Sequence, residues 1–388
     1  MAGPLTGLRV LDLSIMAAGP WVGALLGELG AEVLKVEPPV GDGTRWVEPL
    51  QRGMGTNYIC LNVNKRGIVL DLKAPTGREQ AILLAEGADV FIQNFRGGVI
   101  ERLGLGDPVL RERNPRLVYC SVSGFGETGP LAQEACADFI MQAFSGFARL
   151  NGAPGDELEA FRFTGFIDLT TSIMATQAVL AALVERETSG LGQKVEVSML
   201  EAALEIQATR VAEFLAGRAR LFPRGSESPG LVPDRAFATA DREVFVSVRD
   251  ATEWHGFCAA IERPDLVTDP RFGSNRARVE HRDALNAVLD PIFRSRPAIW
   301  WMRVFERHQV PCALAQHFET LRYHAQTRAN GMIAELDTPD WGQILVGGVP
   351  WHFSRTVCCV TAPPRPGEHT TEVLDELRRE AAGPPARA

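Results

Sequence analysis

Leu8-Arg-Val-Leu-Asp-Leu13, Ser14-Ile-Met-Ala-Ala-Gly19, Pro20-Trp-Val-Gly-Ala-Leu-Leu-Gly-Glu-Leu29-Gly30 and Glu32-Val-Leu-Lys-Val-Glu37 follow one another near the amino terminus. The first piece reads as a buried strand and the second as a loop. The third reads as a helix whose first turn tolerates Pro20, with Gly30 as its stop, and the fourth is a second strand. Strand, helix, strand is a crossover, and a crossover makes the two strands parallel. Working outward, strands at 67–72, 89–93 and 117–122 alternate with helical stretches at 77–86 and 98–103, the pattern of a doubly wound α/β sheet.

A helix ending near Val184 comes next, then a glycine turn and strand over 189–198, then a long helix from Glu201 to Phe214. Residues 1–217 therefore form a large domain. Residues 218–235 are rich in Pro, Gly, Ser and Arg without an apolar period and read as a linker. Residues 236–320 read as a small α+β domain, with a strand at 243–248 and helices at 254–261 and 283–293. Residues 321–388 are too short for a third core and are expected to pack back on the large domain.

The chain has 388 residues, 45% of them apolar, and a formal net charge of −8. That balance gives no attraction to nucleic acid. No run approaches about 18 uninterrupted apolar residues, so no membrane span is expected. The start lacks a secretory pattern, and the seven cysteines are scattered without metal-ligand spacing, so a cytoplasmic location with free thiols and no metal is expected.

Asp168 is the only charged residue between Phe163 and Leu183. An ionised carboxylate there must be paired, neutralised or used. Asp is also a favoured helix N-cap, and the spacing of Ile173, Val179, Leu180 and Leu183 after it fits that alternative. All seven histidines lie at or after His255, so the predicted sheet domain has no imidazole base for a serine or cysteine nucleophile. A carboxylate needs no such base. It can attack an activated acyl group directly, and a thiolate can open the resulting anhydride.

Glu37 ends the second strand where a dinucleotide ribose could bind, but the 14–20 loop lacks the glycine fingerprint and Pro20 removes an amide. Residues 62–67 and 94–98 carry amides and arginines at sheet ends and suit an extended anionic ligand, or else are solvated loops with chance basic residues. The glycine-rich loop 121–130 is either a third such element or a plain turn. Glu127 and Glu134 assist near a site or face solvent.

Taken together, several segments resemble the class III CoA-transferase family, which contains the formyl-CoA and carnitine CoA-transferases. They are Gly7-Leu-Arg-Val-Leu-Asp-Leu-Ser, Leu29-Gly-Ala-Glu-Val-Leu-Lys-Val-Glu-Pro-Pro, Asn64-Lys-Arg-Gly-Ile-Val-Leu-Asp-Leu-Lys, Asn94-Phe-Arg, Ser123-Gly-Phe-Gly, Gly190-Leu-Gly-Gln-Lys-Val-Glu-Val-Ser-Met and Gly367-Glu-His-Thr. The resemblance covers nearly the whole chain. It implies a Rossmann-like large domain with a smaller α+β domain, in an interlocked homodimer. It makes Asp168 the catalytic aspartate, which forms an anhydride with a donor acyl-CoA such as succinyl-CoA and then an aspartyl-CoA thioester that a small carboxylic acid opens. The expected CoA contacts are Ala17 and Ala18, then Leu70, Asp71, Leu72 and Lys73, then Asn94, Phe95 and Arg96, and Arg102. CoA thioester is then a substrate, with no permanently bound cofactor.

Some positions depart from the family pattern. Ala17 and Pro38 stand where formyl-CoA transferases carry a glutamine and an arginine, and Ala135 where they carry a lysine. Residues 224–230 are shorter than their glycine-rich lid. Ala137 precedes Asp138 where racemases of this fold use a histidine–aspartate pair, which removes one base for α-proton exchange. The alternatives are an acyl-CoA racemase or isomerase of the same fold, and a non-catalytic CoA-ester-binding subunit.

Overall fold

The computed structural model describes residues 3–153, 155, 158–217 and 222–382. The described residues within Met1–Phe147, Ala160–Ala219 and Ala325–Ala388 make one compact unit, and those within Ala148–Glu159 and Arg220–His324 make another.

In the first unit, β1 (Arg9–Asp12), β2 (Glu32–Glu37), β5 (Lys65–Val69), β6 (Val90–Gln93), β7 (Val118–Ser123) and β8 (Lys194–Ser198) form one sheet, while β3 (Leu50–Gln51) and β4 (Met54–Gly55) pair separately. The sheet is parallel throughout, in the order β5-β2-β1-β6-β7-β8. Its helices are α1 (Ala18–Glu28), α2 (Thr56–Leu61), α3 (Pro75–Glu86), α4 (Val99–Arg102), α5 (Asp107–Arg113), α6 (Asp138–Phe144), α7 (Phe166–Ser189), α8 (Met199–Glu205) and α9 (Ala208–Leu215).

Both faces of the sheet are covered, as a parallel sheet requires. Val10, Val90, Ile92, Val118, Cys120 and Val122 point to α1 and α7, meeting Val22, Leu26, Ala175 and Val179. The alternate residues Leu11, Phe91 and Tyr119 point to α3 and α5, meeting Ala81, Ala85 and Leu110. By length and composition α7 could cross a membrane. Here it is a core helix, with Ile167, Ala175 and Val179 fully buried.

The order reverses between β1 and β6, so the loops leaving those strands diverge and leave a crevice at their carboxyl ends, where open α/β sheets bind ligands. Charge fixes the crevice floor. Asp12 binds Lys65 at 2.8 Å, Lys35 binds Asp42 at 3.1 Å, and Arg45 binds Glu37 through two bonds of 2.6 and 2.7 Å, all with side chains fully buried.

Four sequence expectations need correction. The long helix expected from Glu201 is two, α8 and α9, because the Gln207 amide donates to the Ala203 carbonyl at 2.7 Å and its backbone leaves the helix. The strand expected at 67–72 runs from Lys65 to Val69, the residues that pair with Val33–Glu37. The linker expected at 218–235 is partly structured. Its residues 218–221 lie outside the described residues, but Val232 is core, its carbonyl accepts from Arg278, and Asp234–Ala238 is a strand. Finally, His352 and His369 belong to the sheet unit, brought by the 325–388 segment. His369 Nδ1 accepts from the Gly67 amide on β5.

The second unit holds a three-stranded antiparallel sheet of β9 (Asp234–Ala238), β10 (Glu243–Ser247) and β11 (Cys312–Leu314), with β10 central. Helices Ala251–Ala260, Arg282–Arg294 and Ala298–Arg307 supply Trp254, Phe257, Phe293, Trp301 and Phe305 to its core. In the first unit, residues 325–388 contribute the hairpin β12 (Ile333–Thr338) and β13 (Gly342–Gly347), whose Ile344 and Val346 pack with Tyr58 and Ile59 of α2.

Candidate active site

A cavity of about 730 Å³ opens in the first unit at the carboxyl ends of β1, β6 and β7. It is lined by the loop after β1 (Ile15 to Ala18), the loop after β6 (Asn94 to Gly97), Ser123 and Gly124 after β7, and Asp168 and Leu169 from α7.

Hydrogen bonds hold the first two loops together. Asn94 accepts from the Ile15 amide at 2.9 Å and donates to the Ile15 carbonyl at 2.7 Å. Asp12 accepts from the Ser14 amide at 2.9 Å, and Lys35 donates to the Ser14 carbonyl. Gly19 lets the loop fold back on α1, since a Cβ there would lie 2.2 Å from Ser14 Cβ. Of the expected contacts, Ala17, Ala18, Asn94, Phe95 and Arg96 thus line one cavity with Asp168.

The others do not line it. Leu70 is core, Asp71 caps the Lys73 amide at 3.0 Å, and Leu72 packs beside that core. These residues and Lys73 follow β5 along the same sheet edge. Arg102 is exposed on α4, just past the 94–98 loop. The 62–67 stretch is occupied internally. Lys65 is buried against Asp12, Asn62 and the Pro20 carbonyl, and Arg66 pairs with Glu32, Glu372 and Glu376. Glu37 is bound by Arg45, so it is scaffold. Glu127 pairs with Lys194, whereas Glu134 is exposed at the cavity wall.

Asp168 is not a cap. The N-cap of α7 is Gly165, and no side chain of that residue serves it. The capping oxygen comes from another helix: Asp138 Oδ2 accepts from the Ile167 amide at 2.6 Å and the Asp168 amide at 3.1 Å. Gln142 donates to the other oxygen of Asp138 and is itself fixed by two bonds to the Phe161 backbone. With the helix end satisfied by Asp138, the Asp168 carboxylate is left for the cavity. Gly165 gives it room, since a Cβ at 165 would stand 3.0 Å from Asp168 Oδ2.

No cation pairs with Asp168 among the described residues. Burial first, and the neighbouring Asp138 charge second, push its carboxyl up to about 7. The same surroundings push the Cys136 thiol on the cavity wall up to about 11, burial again leading. Arg96, exposed at the rim, is the only Lys or Arg among the lining residues. Ala137 lines the cavity where a histidine would serve as a second base, and no histidine lines it. Among the described residues no cluster of His, Cys, Asp or Glu side chains could hold a metal ion.

Sequence reasoning named Asp138 only beside the missing racemase histidine, and passed over its capping role, Gln142 and the three buried ion pairs. A signal existed for the pairs: Asp12 and Lys35 interrupt apolar strands as Asp168 interrupts an apolar helix. None existed for the capping role of Asp138, whose partners lie 29 and 30 residues away.

The model of CoA-transferase family III matches residues 5–370. An acyl-CoA transferase of Fusarium pseudograminearum is 35% identical over 98% of this chain and 86% of its own. The succinyl-CoA:glutarate CoA-transferase of Homo sapiens is 31% identical over 97% and 86%. A crystal structure of a CaiB/BaiF family protein from Brucella suis superimposes with a TM-score of 0.86 at 30% identity, covering 97% of this chain and 100% of that one.

Proposed function

The chain belongs to CoA-transferase family III, and from that premise we propose that Asp168 is the nucleophile of an acyl-CoA:carboxylate CoA-transferase. The observation that carries this reading is a half-buried carboxylate without a cation among the described residues, in a cavity with no histidine among its lining residues.

Asp168 attacks the thioester carbonyl of the donor, the carbon–sulfur bond breaks, and CoA leaves as thiolate with a mixed anhydride formed. The thiolate attacks the Asp168 carbonyl and releases the donor acid as carboxylate, giving aspartyl-CoA. The acceptor carboxylate displaces CoA thiolate to form a second anhydride, and the thiolate then takes the acceptor acyl group, restoring Asp168. No proton moves, so the absence of an imidazole costs nothing. Desolvation makes the carboxylate a better nucleophile, and a pKa near 7 leaves much of it ionised at neutral pH.

Ala17, Ala18, Asn94, Phe95 and Arg96 are placed to hold the part of CoA nearest the thioester. Leu70 to Lys73 and Arg102, along the same edge, suit its distal part. The relative from Homo sapiens is named for succinyl-CoA and glutarate, which favours a succinyl-CoA donor and a small carboxylic acid acceptor here. The strand order supports a Rossmann-like description. Exposed Phe163, Phe214 and Leu215 favour a homodimer, and the free thiols a cytoplasmic location.

The test is intact mass after incubation with succinyl-CoA and hydroxylamine. A hydroxamate-sized gain on Asp168 is expected, absent in Asp168→Ala. No gain with any of several acyl-CoA donors overturns the covalent step. Exchange of α-protons with solvent without transfer would instead mark an isomerase.

A further inference from the structure

A second cavity, of about 660 Å³, shares Trp21 and Cys60 with the first. Three elements run past both. On α1, Ala18 and Trp21 face the Asp168 cavity, whereas Trp21, Leu25, Glu28 and Leu29 face the second. At α2, Asn57 and Cys60 give way to Cys60 and Val63. On α7, Asp168 and Leu169 give way to Ile173, Thr176, Gln177 and Leu180. The steps of three and four residues keep each stripe on one helix face.

The second cavity is walled mainly by hydrocarbon and aromatic side chains, Trp351 and Phe353 among them, and none of its lining residues is Lys, Arg or His. Yet it contains Glu28. That side chain is 7% exposed, and its Oε2 has no hydrogen-bond partner among the described residues. Glu28 lies in the last turn of α1, which has no basic residue, and a negative charge there meets the negative end of the helix dipole. Burial pushes its carboxyl up to about 7. The Cys60 thiol is pushed up too, by burial and then by Glu28. A buried acid without a partner needs an explanation.

We propose that this second cavity receives the distal part of an aliphatic acyl chain, carried by an acceptor acid longer than the small one taken above, whose thioester carbonyl sits at Asp168, with Glu28 as the polar contact for a hydroxyl at the far end. This rests on the thioester reading of Asp168 given above. From Asp168 to Thr176 and Leu180 the α7 rise spans about 12–18 Å, the reach of an extended chain of roughly ten to fifteen carbons. A terminal carboxylate is disfavoured, since it would meet Glu28 with no cation in the lining. A hydroxyl can donate to the free oxygen of Glu28 and accept from its protonated form.

The experiment is equilibrium binding to the Asp168→Asn protein, read by the fluorescence of Trp21 and Trp351, with butyryl-, octanoyl-, dodecanoyl- and 12-hydroxydodecanoyl-CoA. Kd should fall at least about tenfold from butyryl to dodecanoyl as methylenes leave water, and roughly fivefold more with the hydroxyl. Ile173→Trp fills the second cavity without touching the first. It should abolish the chain-length gain while the Kd for butyryl-CoA stays unchanged. Leu180→Phe is the substitute if that variant does not fold. Glu28→Leu should remove only the hydroxyl advantage. A Kd that is flat along the series overturns the proposal, as does a gain that survives both filling variants. Because binding is read without turnover, failure of hydroxylamine trapping would sink the covalent reading while this series still decides the cavity.

Discussion

Two regions of the first unit treat carboxylates withdrawn from solvent in opposite ways, fully buried in one and half-buried in the other. Under the β1 and β2 ends, Asp12, Asp42 and Glu37 each have a cation within about 3 Å, and the pKa values of Glu37 and Asp42 are held down against the burial that would raise them. At the start of α7, Asp168 has no cation, faces another carboxylate and has its pKa pushed up to about 7. The contrast separates scaffold from chemistry. A paired charge holds loops in place, whereas an unpaired one keeps its reactivity at a cost to stability.

The largest way to break the comparison is to unpair the scaffold. Lys65→Met leaves Asp12 buried without its partner and should cost about 3–5 kcal/mol of unfolding free energy in urea titration. Adding Asp12→Asn should recover a good part of that loss. A neutral Lys65→Met would mean that the buried pair does not hold the crevice floor.

The next effect is opposite in sign. Asp168→Asn removes the burial penalty and should stabilise the fold at pH 8, by on the order of 1–3 kcal/mol. The folded pKa of Asp168 lies above the 3.8 of the free group. The penalty is therefore complete above about 7, shrinks as pH falls through that value, and is absent below the free value. Thermal unfolding at pH 8 and pH 5 should show the advantage shrinking toward the acid side. An equal advantage at both pH values would mean that the charge is not its source.

The smallest effect sharpens the role of Asp138. In the wild type, kcat/KM should rise with pH through about 7 as Asp168 ionises. Asp138→Asn keeps an oxygen for the Ile167 and Asp168 amides but removes the charge. Its profile should move to lower pH, by up to about one unit. Asp138→Ala also loses the cap and should be slower at every pH, whereas a purely structural role would leave the Asn profile unmoved.

Strands alternating with helices announced a doubly wound sheet, and the structure places Val10 and Leu11, or Ile92 and Phe91, on opposite sides of it. Asp168 was visible because an acid stands out in an apolar helix. Arg66 misled for a related reason. A basic residue beside a strand looks like an anion site, and its partners Glu372 and Glu376 lie some three hundred residues on. Gln207 ended a helix through a bond that periodicity cannot register.

Local spacing and residue chemistry by themselves determined the parallel α/β core, the candidacy of Asp168 and, through the joint order of motifs, the family. These depend on neighbours three or four residues away, or on composition. Only the tertiary structure decided which acids are paired, which oxygen caps α7, and that Glu28 is left alone in an apolar cavity. Each of those depends on what is packed alongside, because burial and a partner's distance, not a residue's identity, set the energy of a charge.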